Sequence, residues 1–144
     1  MVKFKTFVAS AVIAIMSGWS TAALAEVVVV VSAKNPVASL TTEQAADLFL
    51  GKSNVLPGGG QAVAVDQPEN SAAREEFYSK ATGKNSAQIK AYWSKQIFSG
   101  KGQPPKEVGD SNGVKSFVAS NPNAIGYIDR ASLDATVKPV LTFK

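Results

Sequence analysis

A single α/β domain, with a mixed, mostly parallel sheet flanked by helices, is the architecture that three features of the chain lead us to expect. Glu26 to Ser32 reads EVVVVVS, a run of five valines too short for a helix and rich in β-branched residues, like a strand buried on both faces of a parallel sheet. Short apolar segments alternate along the chain with helical segments that carry capping signals, an order that fits a layered α/β structure better than a bundle or a sandwich. Neither an internal repeat nor a long linker divides the sequence, whose 144 residues suit one core once a leader is set aside.

That leader is residues 1–25. Lys3 and Lys5 give a basic start, Phe7 to Ser17 is apolar, and Ala23-Leu24-Ala25 places small residues at the signal-peptidase positions, so cleavage is expected before Glu26. Ser17, Gly18, Ser20 and Thr21 interrupt the apolar stretch, which falls short of the roughly 20 residues a spanning helix needs. The secreted chain then runs from residue 26 to 144 as one domain.

Its valine strand should be central and is broken by Asn35-Pro36. Thr41 and Gln44 have capping-box spacing, and Ala45, Leu48 and Phe49 follow at helical spacing, which predicts a helix from about Thr42 to Leu50 with Gly51 as its left-handed end. Asn54 to Gln61, containing Pro57-Gly58-Gly59-Gly60, reads as a loop, and Ala62 to Val65 as a second strand. Asp66 to Asn70 is turn chemistry, with Asn70 or Ser71 placed to cap a helix to about Ala81 that buries Ala73, Phe77 and Ala81. Gly83 ends it. Asn85 or Ser86 opens the next helix, to about Phe98, with Ile89, Tyr92, Trp93 and Ile97 as its apolar stripe. After a loop at Gly100 to Pro105, Asp110 caps a short helix bearing Val114, Phe117 and Val118, which stops at Asn121-Pro122. Ala124 to Ile128 and Val137 to Phe143 are the last strands.

The composition excludes much chemistry. The chain has no His and no Cys, which removes the Ser-His-Asp and Cys-His nucleophiles, imidazole and thiolate metal sites, disulfides and redox pairs. No cofactor or metal is expected, and no pair of carboxylates is placed for acid/base work: Glu75 and Glu76 are adjacent and point apart on a helix. Removing the leader takes two lysines and no acid, leaving thirteen basic against eleven acidic groups, a formal +2. Without a Lys/Arg run, that charge gives no footprint for nucleic acid.

Gly51-Lys52-Ser53 superficially matches the end of a P-loop, but the glycine expected five residues earlier is Ala46, and the tripeptide ends a helix instead of opening one. The stronger candidate is Asp66 to Arg74. Free amides at a helix start favour an anion, the Ser71 hydroxyl can donate to it, and the Arg74 guanidinium can pair with an oxyanion. Gln67, Asn70 and the amides from Ala72 onward complete the candidate set. The plainer reading is that Asn70 or Ser71 caps the helix while Arg74 pairs with Glu69, Glu75 or Glu76, and Asp66 and Glu69 lie beside the proposed anion. Tyr92 and Trp93 could stack on a ligand, but aromatics at helical spacing are more often core.

Three segments resemble the solute-binding proteins of phosphate ABC transporters, a group within the type II periplasmic binding fold. They are Leu40-Thr41-Thr42-Glu43-Gln44 with Leu48-Phe49-Leu50-Gly51-Lys52; Ala62 to Val65 followed by Ser71 and Phe77; and Asn123-Ala124-Ile125-Gly126-Tyr127-Ile128. The resemblance spans Val28 to about Leu141 and implies a single lobe of that fold with hinge strands. It implies a non-enzymatic binder of phosphate or another small oxyanion at Ser71. The family's arginine four residues earlier is Gln67 here, and its following glycine and threonine are Ala72 and Ala73. Partners implied are an ABC permease, an envelope sensor protein, or a second copy that closes the cleft as a homodimer. The alternative is a ligand-free periplasmic interaction module derived from such a lobe.

Overall fold

A computed structural model describes residues 26–58 and 60–143, so the expected leader lies outside the described residues. Five strands and four helices follow in the order β1 (Val27–Ser32), α1 (Thr42–Phe49), β2 (Val63–Asp66), α2 (Ala72–Thr82), α3 (Ser86–Phe98), β3 (Lys106–Glu107), α4 (Ser111–Ser120), β4 (Ala124–Asp129) and β5 (Val137–Thr142), with a 3-10 turn at Arg130–Ser132. The sheet order is β3-β2-β4-β1-β5. β2 runs parallel to both β3 and β4, whereas β1 is antiparallel to β4 and β5. The sheet is therefore mixed and mostly parallel in strand direction, with β1 alone reversed.

The valine strand is internal, as expected, but its pairings are antiparallel on both sides. Its burial has the expected cause. Val27, Val29 and Val31 enter one core with Phe49, Phe77, Trp93 and Tyr127, while Val28 and Val30 enter the other with Val65, Val114, Val118 and Ile128. Alternate residues point to opposite faces, so a strand covered on both sides must be apolar throughout.

Helix boundaries follow local chemistry. Thr41 and Gln44 form the reciprocal capping box, and Leu50 with Gly51 at φ +72° closes α1. Ser71, Asn85 and Asp110 cap α2, α3 and α4, and Gly83 ends α2 in the left-handed region. Lys52 and Ser53 both give their amides to the Asp47 carbonyl, so this helix end holds no anion cradle. Trp93 packs over Gly51, and the Tyr92 hydroxyl donates to the Leu50 carbonyl at 2.6 Å, which places both aromatics in structural roles. Ala73 and Phe77 are buried on α2 as expected, joined by Tyr78, and Ala81 is half-buried. Ile97, expected in the buried stripe of α3, is instead 54% exposed, because it faces an open cleft with Pro104 and Pro105.

Candidate functional site

The crossovers leaving β2 set the position of the site. After β2 the chain passes through α2 and α3 to β3 on one side, then through α4 to β4 on the other side of β2. Such a reversal of strand order opens a crevice at the carboxyl ends of the strands, the usual ligand position in α/β sheets. Here the crevice brings together Asp66 and Gln67 from the end of β2, Ser71 at the start of α2, Ser111 at the start of α4, and Asp129 at the end of β4.

These groups are largely bonded to one another. Ser71 Oγ accepts from the Arg74 amide at 3.2 Å and donates its proton to Gln67 Oε1 at 2.7 Å. Gln67 is buried, and its Nε2 donates to the Tyr127 carbonyl at 2.9 Å and to Ser111 Oγ at 3.3 Å. Ser111 Oγ in turn accepts from the Asp129 amide at 2.9 Å and bonds Asp129 Oδ2 at 3.2 Å. The donor expected of Gln67 is thus turned into the protein. Its carboxamide sits between the first residues of two helices and satisfies the hydroxyls of both.

Beneath it lies a buried carboxylate. Asp66 accepts from the Tyr78 hydroxyl at 2.6 Å, from the Gln67 amide at 2.8 Å and from the Tyr127 hydroxyl. Burial first, and then the adjacent Asp66 charge, push both tyrosine hydroxyls far above their ordinary value of 10.0. Tyr127 stacks flat on Phe77, with ring centroids 4.3 Å apart, so the clamp is anchored in the core.

Arg74 is also committed. Its Nη1 donates to the Gln67 carbonyl at 2.9 Å, and it lies 3.4 Å from Glu107 Oε1 and 3.8 Å from Asp66 Oδ2, with the guanidinium over the Tyr78 ring. Its carboxylate partners are therefore Asp66 and Glu107, in place of the Glu69, Glu75 or Glu76 considered from sequence. Asn70 and Ala72 are exposed. Because Ser71 caps the Arg74 amide, the amides of Ala72 and Ala73 remain the free donors of the first turn among the described residues. Beside Arg74 a cleft of about 210 Å³ opens, lined by Asp66, Glu69, Trp93, Pro105 and Glu107 among others.

Sequence reading missed Ser111, Tyr78, Tyr127 and Glu107. Only Ser111 left a usable signal, since it follows the cap residue Asp110 and so stands at a helix start, as Ser71 does. Among the described residues no group of three or more Asp and Glu side chains is arranged to hold a metal, and no helix there is long and apolar enough to cross a membrane.

No family model matches the chain, and no curated protein does. Solved structures do. The fold matches a putative phosphate ABC transporter substrate-binding protein from Clostridium perfringens, solved with bound phosphate, at 26% identity and a TM-score of 0.65, over 80% of this chain and 44% of that one. An ABC-type phosphate transport receptor from Vibrio cholerae matches at 22% identity and 0.63, over 80% and 45%, and PstS from Borrelia burgdorferi at 13% and 0.60, over 80% and 46%. The structural neighbours are thus phosphate ABC transporter substrate-binding proteins, and this chain has the type II periplasmic-binding-protein architecture as a single lobe. It spans less than half the length of the neighbours it matches.

Proposed function

We propose that the protein binds phosphate or a related small oxyanion, without chemical turnover, at the amino end of α2. We place this activity in the periplasm, in connection with ABC-type transport. One coincidence carries the reading: the free amides of Ala72 and Ala73, with the Ser71 hydroxyl, stand at the strand-order reversal of a fold whose Clostridium perfringens neighbour was solved holding phosphate. Asn70 adds a side-chain amide, and Arg74 adds nearby positive charge.

Affinity is expected to be low. An anion that recruits Ser71 must replace the bond to Gln67, and it meets the charges of Asp66, Glu69 and Glu107. Charge-assisted hydrogen bonds contribute about 1.5–3 kcal/mol each, and each 1.4 kcal/mol is about tenfold in affinity. Losing one or two of them therefore moves a dissociation constant by one or more decades. Titration calorimetry of the secreted form with phosphate, sulfate and molybdate tests the reading. Heat at millimolar ligand or below, reduced in Ser71→Ala combined with Arg74→Ala while circular dichroism stays native, supports it. No heat, or heat unchanged in the folded double variant, rejects it.

The mutual engagement of Ser71, Gln67 and Arg74 favours a second reading, a lobe that has become a ligand-free interaction module in the envelope. Light scattering separates the two cheaply. A stable dimer supports a cleft closed between chains, whereas a monomer silent to all three anions supports the module.

A further inference from the structure

The solvent side of α3 carries a charge segregation that the oxyanion reading leaves unused. Between Lys84 and Lys106 the sequence holds five lysines, at 84, 90, 95, 101 and 106, and no Asp or Glu. All eleven acidic residues lie outside this span. The ion pairs among the described residues use Arg74, Lys80, Lys115 and Arg130, so none of the five lysines has a carboxylate partner there. Lys90, Lys95, Lys101 and Lys106 are exposed.

At the carboxyl end of α3, between Lys95 and Lys101 in sequence, stands Phe98, which is 96% exposed, next to Ile97. At 3.6 residues per turn Lys90 and Lys95 are about 140° apart around the helix, and Phe98 falls between them. The face opposite, through Ile89 and Trp93, is the one packed on the core. An exposed aromatic ring at the end of a helix that also presents unpaired lysines offers an apolar anchor and positive charge to one surface.

We propose that the outer face of α3 and the loop after it dock on an anionic lipid surface, with Phe98 entering the headgroup layer and Lys90, Lys95 and Lys101 against the lipid phosphates. Two features favour lipid over an acidic protein. The apolar group projects from the surface instead of lining a groove, which suits a fluid layer that closes around it. The cations are all lysines, point charges suited to a diffuse anionic layer, whereas both arginines are paired elsewhere.

The test uses the protein freed of residues 1–25, since the described residues from 26 onward form a five-stranded sheet with a core on each face. Co-sedimentation compares vesicles of phosphatidylglycerol mixed with phosphatidylcholine against phosphatidylcholine alone. Binding is expected on the acidic vesicles only, and lost at about 0.5 M salt. Lys95→Gln with Lys101→Gln should weaken it roughly 25-fold, at about fivefold per lysine. Phe98→Ala should weaken it about tenfold. Lys34→Gln with Lys138→Gln removes the same charge elsewhere and should leave binding within about twofold. The proposal is overturned by absent binding to acidic vesicles, including the case where only an acidic protein is captured. Equal binding to neutral vesicles, or equal losses in the two lysine pairs, overturns it as well. Phe98 and these lysines contribute nothing to the core, so the variants remain folded.

Discussion

The hydrogen bond from Ser71 to Gln67 joins a helix cap to a buried carboxamide, and a double-mutant cycle can weigh it. Ser71→Ala removes the acceptor for the Arg74 amide, a loss of about 1 kcal/mol. It also strips the proton from Gln67 Oε1, on a residue only 1% exposed, which adds about 1–3 kcal/mol. Gln67→Met leaves the Tyr127 carbonyl and the Ser71 hydroxyl without their partner and should cost about 2–4 kcal/mol. In the double variant no Oε1 remains to be stranded, so its cost should fall short of the sum by about 1–2 kcal/mol. Urea unfolding followed by circular dichroism supplies the four free energies, provided the m-values agree. Coupling below about 0.5 kcal/mol, or a Ser71→Ala cost no larger than that of an exposed position, would refute the described network. The same variants bear on function. Gln67→Met frees the Ser71 hydroxyl, and calorimetry should then show phosphate binding up to about tenfold tighter than in the parent.

Alkali probes the clamp below Gln67. The folded Tyr78 and Tyr127 hydroxyls have pKa values raised above the unfolded value of 10.0, so the stability tied to their protonated form is complete below that pH and is lost as pH rises through and beyond it, at about 1.4 kcal/mol per pH unit for each. Tyrosinate absorbance from these residues should therefore rise only together with loss of circular dichroism; ionisation near pH 10 in a protein that stays folded contradicts the burial described. A Cβ on Gly126 would collide with Val114 Cγ1 and crowd Val65 and Val118 at 3.3 and 3.4 Å, so Gly126→Ala should destabilise by about 1–3 kcal/mol in thermal unfolding. Asn35 bonds the Pro122 carbonyl and the Val37 amide, at 2.8 and 2.9 Å, and Asn35→Ala should cost about 2 kcal/mol in the same assay.

What the sequence made legible was local. Thr41, Ser71, Asn85 and Asp110 are caps because their side chains reach an amide three residues on, and Gly51 and Gly83 end helices by adopting positive φ. These signals need only a few neighbouring residues. Strand direction does not work this way: a run of valines buried on both faces is equally compatible with parallel and antiparallel partners, and β1 pairs with residues about a hundred positions away. β3 carries no apolar pattern because it is the exposed pair Lys106-Glu107. The site shows the same division. The turn and the cap at Ser71 were readable, but the inward set of Gln67 depends on Ser111 and Tyr127, 44 and 60 residues on, and one of the two carboxylate partners of Arg74 is Glu107, 33 residues on.

The crevice and the outer face of α3 place opposite charges on neighbouring surfaces. Asp66, Glu69, Glu107 and Asp129 gather at the strand ends, with Arg74 paired to Asp66 and Glu107 among them, and Asp129 Oδ1 has no hydrogen-bond partner among the described residues. Lys90 and Ile97 of α3 line the same cleft as Arg74 and Glu69, so a helix laid on an anionic surface would hold the crevice beside that surface. An anion reaching Ser71 is then governed by short-range bonds to amides and a hydroxyl, which salt screens little, whereas attachment through α3 acts through exposed charges and weakens steeply with ionic strength. A salt series read by calorimetry for phosphate and by sedimentation for vesicles should thus show two different slopes in one protein. Equal slopes would mean that both anions are attracted by the same diffuse charge, and that the amino end of α2 has no special part in either.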